Sequence, residues 1–179
     1  MSLTFSRRSF LKYTAVAAVA VAGSSLLTGC KDNPYQPEGG IGDSLKIMGT
    51  FQLSKASYDV DARKLTCDMS FKCTSNRDLN IKRECFQVIV ADKDGKNEVI
   101  YSLEQSQHNK ISLSNAKSGL SKKDDALETK LYVEDLVALK EGDTVKVQYW
   151  PRAQASQGQL GYTDAYATWT MTYKDGKLV

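Results

Sequence analysis

From Leu65 to Thr74 the chain alternates without a break: Leu65, Cys67, Met69, Phe71 and Cys73 fall on one side, and Thr66, Asp68, Ser70, Lys72 and Thr74 on the other. Successive side chains of a strand point to opposite faces, so this stretch describes a sheet with one dry side and one wet side. The strand is expected to be central, and its dry face requires a second layer to cover it.

The neighbouring segments repeat the period. Ile47, Gly49, Phe51 and Leu53 begin a first strand, and Ser57 to Val60 forms a second short extended piece entering the turn Asp61-Ala62-Arg63. Ser75-Asn76-Arg77-Asp78 reads as a turn. Cys85 to Ala91 reads as the next strand, with Phe86, Val88 and Val90 inward, and Glu98 to Leu103 returns as its partner. Between them, Asp92-Lys93-Asp94-Gly95-Lys96 makes a hairpin turn in which Gly95 supplies a positive φ. Its D-x-D-G spacing is not a calcium loop: Asn97 stands where the loop needs glycine and Leu103 where it needs a bidentate carboxylate.

Residues 104–126 are polar and weakly patterned, and Ser121-Lys122-Lys123-Asp124 has the shape of a capping box that allows one helical turn. Thr129 to Val133 is a strand, followed by Thr144 to Trp150 with Val145, Val147 and Tyr149 inside. A loop over 151–161 leads to the closing strand, Tyr162 to Tyr173, where Ala165, Ala167, Trp169, Met171 and Tyr173 share the core side. Trp169 is expected to be the large core residue, and Lys174-Asp175-Gly176-Lys177 a polar end. Nine Tyr, three Pro and many Thr and Val favour strands over a helical bundle. The expectation is an all-β antiparallel sandwich of about seven to nine strands forming one domain over 45–179.

Leu139-Lys140-Glu141-Gly142-Asp143, dropping into the alternating run from Thr144 to Trp150, resembles the corner between the fifth and sixth strands of immunoglobulin-like and fibronectin type III domains. The resemblance spans about residues 45–173 and implies their two-sheet architecture. Those domains often place a tyrosine early in the following strand to brace the corner; here Val145 stands there.

The N-terminus carries two further patterns. Ser6-Arg7-Arg8-Ser9-Phe10-Leu11-Lys12 resembles the twin-arginine (Tat) export consensus, with Arg7, Arg8, Phe10 and Leu11 as its defining residues. An Ala-rich apolar stretch follows, too short for a bilayer-spanning helix. It closes at Leu27-Thr28-Gly29-Cys30, which is similar to a bacterial lipobox. Together these resemblances imply a signal peptide over 1–29, contact with the Tat translocase and the lipoprotein-processing enzymes, and a lipidated Cys30 that becomes the first residue. They also imply folding before export and a place on the extracytoplasmic face of a bacterial cell membrane. Residues 30–44, with Pro34, Pro37, Gly39, Gly40 and Gly42, read as a tether.

The formal charge of +3 comes from 24 basic and 21 acidic residues, and the leader holds three of the basic ones and no acid. The chain from Cys30 is therefore near neutral and offers no basic field for nucleic acid. Beyond Cys30 the cysteines are Cys67, Cys73 and Cys85. Cys67 and Cys73 lie on one strand roughly 20 Å apart at about 3.3 Å per residue, beyond disulfide reach. Two alternatives stand: buried thiols, or a Cys73 to Cys85 bridge across the intervening turn. No metal-ligand spacing occurs, and His108 lies in polar sequence, so neither metal nor cofactor is expected.

Gly42-Asp43-Ser44-Leu45 has the letters of the block that names one family of serine esterases, yet no histidine is placed to serve Ser44 as a base. A non-catalytic role is expected. Trp150 and Tyr166 are expected to point outward from adjacent strands, with Tyr162 near the loop, as a surface for a protein or glycan ligand. The alternative is an accessory to exported redox or enzymatic machinery in which Cys67, Cys73 and Cys85 supply the chemistry.

Overall fold

The computed structural model describes residues 36–74, 79–120, 122, 125–151 and 165–179. Leu65, Cys67, Met69, Phe71 and Cys73 are all buried, and the residues between them are half-buried or exposed, as the alternation requires.

The strands in chain order are β1 (Glu38–Gly39), β2 (Ser44–Lys46), β3 (Gly49–Asp59), β4 (Lys64–Cys73), β5 (Leu79–Ile81), β6 (Phe86–Ala91) and β7 (Glu98–Tyr101). They continue as β8 (Ile111–Leu113), β9 (Lys117–Leu120), β10 (Ala126–Val133), β11 (Thr144–Tyr149), β12 (Ala167–Lys174) and β13 (Lys177–Leu178). One sheet runs β2-β3-β4-β10-β8; the other runs β1-β12-β11-β6-β7, with β13 on β12, and β5 pairs β9 apart from both. All pairings are antiparallel except β1 with β12. The fold is all-β, as expected. The thirteen described strands exceed seven to nine because short pieces of two to four residues are separate ladders.

The two dry faces meet over Phe51, Phe71, Phe86 and Tyr149, whose ring centroids lie 4.8–6.0 Å apart in tilted and edge-on arrangements. Such geometry sets the positive edge of one ring against the negative face of the next, adding roughly 0.5–1.5 kcal/mol per pair to area burial. Trp169 is fully buried, and its indole N–H donates to the Asp43 carbonyl at 3.3 Å. Gly49 leads β3 because a Cβ there would sit 2.5 Å from the Lys72 carbonyl oxygen.

Several boundaries differ from expectation. Residues 47–53 and 57–60 are not two pieces but β3, a single strand whose register shifts between Leu53 and Lys55. Ser54 is the extra residue of this β-bulge, so Phe51 and Leu53 face inward, then Ala56 and Tyr58. The polar stretch from 104 contains β8 and β9; Ser121, Lys123 and Asp124 of the capping box lie outside the described residues. The partner strand expected to Leu103 ends at Tyr101, and Cys85 sits in a 3₁₀ turn (Arg83–Cys85) ahead of β6. The polar end instead turns at Asp175-Gly176 and returns as β13, burying Leu178 against the core.

The stretch assigned to the tether is held on the sheets from residue 36 onward. Glu38 and Gly39 pair with Thr168 and Trp169, Gly42 N donates to Leu53 O at 2.8 Å, and Thr168 N to Pro37 O at 3.0 Å. The chain thus enters at the end of the sandwich where Tyr149, Phe86 and Phe71 lie. The turns at 60–63, 92–97, 134–143 and 175–176 lie at the opposite end.

Candidate functional site

Trp150 leaves β11 with its backbone N–H donating to Cys85 O at 2.9 Å, and Tyr166 stands just ahead of β12. Their rings stack at 4.8 Å between centroids with a 30° tilt. The pair expected from the sequence does form, but it is not the exposed platform anticipated. Trp150 retains only 8% exposure, because Tyr166 lies across it where the strand ends and alternation no longer sets direction. A large amphipathic ring is better covered than wet. Tyr162 lies outside the described residues.

No disulfide joins Cys73 to Cys85, and Cys67, Cys73 and Cys85 are all buried thiols. Cys67 faces Ala56 and Leu131 across the sheet; burial pushes its thiol far above the ordinary range, and neighbouring Asp68 adds to that. Cys73 and Cys85 both lie near Tyr149, whose phenol is raised by burial first and by those two sulfurs second. The Tyr149 hydroxyl donates to Asn80 O at 3.0 Å. A thiol serves as nucleophile or redox centre when it is ionisable and accessible; Cys67 meets neither condition, and burial denies access to Cys73 and Cys85.

The corner after β10 holds a feature that sequence reading missed. Tyr101, from β7, accepts a hydrogen bond from Val137 N at 2.8 Å and donates to Asp135 O at 3.4 Å, while Tyr58 reaches Val137 O at 3.5 Å. Asp135 takes a φ of 54°, and Arg63, with a φ of 48°, accepts from Leu136 N. Burial raises the Tyr101 phenol, opposed by the Val137 N–H. Arg63 and Lys110 flank the Asp135 carboxylate at 4.0 and 3.9 Å. His108 packs its ring on Tyr101 at 4.9 Å, and Ser44 lies on β2 opposite Gln52 of β3.

The Asp92 loop is closed by its own atoms. Its carboxylate accepts from Lys96 N at 2.8 Å, Asp94 N at 3.2 Å and Asn97 Nδ2 at 2.5 Å, and these bonds hold the acid below its usual value. Among the described residues no group of three or more His, Cys, Asp or Glu could hold a metal.

Two grooves remain. One, of about 400 Å³, lies beside the 3₁₀ turn and includes Lys82, Arg83 and Lys117, with Glu84 3.7 Å from Arg83. The other, of about 530 Å³, lies on the wet face of the β2-β3-β4-β10-β8 sheet among Gln52, Ser54, Asp68, Ser70, Glu128 and Lys130.

Residues 4–24 match the model for the TAT (twin-arginine translocation) pathway signal sequence. The N-terminus is therefore a Tat signal, and the chain is exported across the cytoplasmic membrane through the Tat translocase. No curated protein matches the chain. Among solved structures, the ycdA protein of Bacillus subtilis subsp. subtilis str. 168, which carries a lipoprotein description, is similar at 16% identity and a TM-score of 0.42. That match covers 70% of this chain and 36% of the other, so the chain spans about a third of that protein's length. The yjhA protein of Bacillus subtilis is similar at 14% identity and a TM-score of 0.43, with 74% of this chain and 97% of that one covered. Likenesses at these scores support no inference about this chain.

Proposed function

We infer that this protein is a lipid-anchored module on the extracytoplasmic face of the cell membrane, with a non-catalytic binding or accessory role. The observation that carries the anchoring is position: Leu27-Thr28-Gly29-Cys30 begins three residues after the matched Tat segment ends at residue 24. The Cys30 thiol takes a diacylglyceryl group in thioether linkage and cleavage before Cys30 then frees its amino group; the two acyl chains bury enough methylene for stable anchoring where one gives marginal binding. Only six residues separate Cys30 from Pro37, seven steps with a reach of about 24 Å at full extension, so the sandwich is held close to the bilayer by its N-terminal end.

The strand orders β3-β4-β10-β8 and β12-β11-β6-β7 correspond to the A-B-E-D and G-F-C-C′ sheets of an immunoglobulin-like domain, which supports that assignment. Folding that needs no disulfide suits a cargo that folds in the reducing cytosol before export. Burial of all three thiols speaks against the redox alternative.

Radiolabelled palmitate tests the anchor. The wild-type chain should incorporate label and sediment with membranes, and Cys30→Ala should lose both. A Cys30→Ala protein that keeps its label or stays in the membrane fraction overturns the reading.

A further inference from the structure

We propose that the groove on the wet face of the β2-β3-β4-β10-β8 sheet is a binding site for a neutral, polyhydroxylated ligand, a glycan. The proposal deepens the binding-module reading and rests on it, but does not depend on the lipid anchor.

The groove has a structural origin. At Ser54 the bulge adds a residue to β3, and a bulge bends its strand and increases local twist. On the other side, β8 pairs with β10 only from Leu131 to Val133. Beyond that point the chain folds over the β10 edge as a fixed wall. Ser114 N donates to Lys130 O at 2.9 Å, Lys130 N to Ser114 Oγ at 2.9 Å, and Asn115 Nδ2 to Glu128 O at 3.3 Å. Thr129, which is buried, secures the wall from beneath: its hydroxyl accepts from Asn115 N at 3.1 Å and donates to Asn115 O at 2.8 Å. An edge plugged in this way does not need another strand, and the hollow between the bulge and the wall stays open.

Its lining selects a chemistry. Four hydroxyls, two amides, two carboxylates and one ammonium line it, with no aromatic ring and only Met69 as an apolar member. Fatty chains or apolar peptide anchors would gain nothing from such a surface, whereas sugar hydroxyls both donate and accept and can pair with every group. One acceptor lacks a donor: Asp68 Oδ1 is buried and accepts no hydrogen bond among the described residues. Lys130 Nζ lies 3.3 Å away, within ion-pair distance but not aligned as a hydrogen bond, so the pair positions the carboxylate without satisfying it. A buried polar atom left in this state is uncommon, and a ligand hydroxyl entering beside Lys130 would supply the missing donor. Asp68 and Glu128 are balanced by Lys130 in the groove and by Lys55 opposite Asp68 on the neighbouring strand, so no excess of either sign selects a uronate, a phosphate or an amino sugar. The site lies at mid-strand on the flank of the sandwich, away from the end where the chain enters, and is unobstructed when that end faces a membrane.

The full chain, purified in detergent, should be applied to an array of neutral, amino and uronic-acid oligosaccharides, and the best-retained member titrated calorimetrically. The expectation is retention of neutral members, with Asp68→Asn and Glu128→Gln each weakening binding about tenfold or more, since each removes a charge-assisted hydrogen bond. Glu128 is exposed, so its variant carries the test if Asp68→Asn is poorly folded. Absence of any retained neutral member, preference for uronic acids, or wild-type affinity in Glu128→Gln overturns the proposal. None of these outcomes touches palmitate incorporation, so failure of the groove and failure of the anchor are separately visible.

Discussion

Tyr101 braces the corner after β10 by accepting a hydrogen bond from Val137 N at 2.8 Å, joining the edge of its sheet to the crossover that enters that sheet from the other. Both residues are covered, Tyr101 fully. Removing the hydroxyl leaves the half-buried Val137 N–H without its partner. Tyr101→Phe should therefore lose about 1–3 kcal/mol, the cost of a buried donor left unsatisfied. Tyr58→Phe, whose bond to the same residue is 3.5 Å long, should cost less than about 1 kcal/mol. Urea unfolding of the two variants distinguishes them, and equal losses would deny Tyr101 the bracing role.

The buried indole of Trp150 predicts a second effect. A platform exposed to ligand would lose its ring without loss of stability. Here the ring is stacked under Tyr166 and nearly covered, so Trp150→Ala should destabilise by about 2–4 kcal/mol, toward the range for core aromatics. Thermal unfolding checks this, and an unchanged melting temperature would restore the exposed-platform assignment.

Burial of Cys67, Cys73 and Cys85 predicts silent thiols. In a Cys30→Ala chain, an aromatic disulfide reagent at mildly alkaline pH should modify none of the three rapidly while the domain is folded, and all three after denaturation. Melting should also be the same with and without reductant. Rapid modification of two or more in the folded state would return cysteine chemistry to consideration.

Asp92 gives the hairpin loop a pH dependence. Hydrogen bonds from Lys96, Asn97 and Asp94 favour its charged form, so its pKa in the folded chain lies below the usual carboxylate value. The contribution to the loop is complete above the unfolded value of about 3.9 and is lost as pH falls through the lower folded value. Amide exchange at Lys96 should accelerate in that acidic window, and Asp92→Ala should accelerate it at neutral pH. Slow exchange in the variant would show that Gly95, with its φ of 66°, suffices to hold the turn.

Legibility in the sequence followed the length of the alternation. β4, β11 and β12 each present at least three consecutive inward residues, and their faces were assigned correctly because a one-residue error would have exposed all of them. β8 and β9 are three and four residues of mostly polar character, too short to carry a period. The corner tyrosine was sought at 145, in the strand after the corner, whereas Tyr101 reaches it from β7, a long-range contact that no local pattern contains. The groove was hidden for a related reason: Ser54 shifts the phase of β3, so two halves of one strand looked like two strands.

That phase shift supplies the last prediction. Without Ser54 the sequence around it would read Phe51, Gln52, Leu53, Lys55, Ala56, Ser57, Tyr58, in which Phe51, Leu53, Ala56 and Tyr58 alternate inward without interruption. Deleting Ser54 should therefore keep every inward contact and its partner on β4, from Phe51 opposite Phe71 to Tyr58 opposite Leu65, and cost little stability. The bend that the bulge imposes would be lost, along with a hydroxyl of the groove. A deletion chain that melts near wild type but no longer retains neutral glycans would tie the bulge to binding rather than to folding. If it instead unfolds, Ser54 is needed to set the twist that lets the two sheets pack.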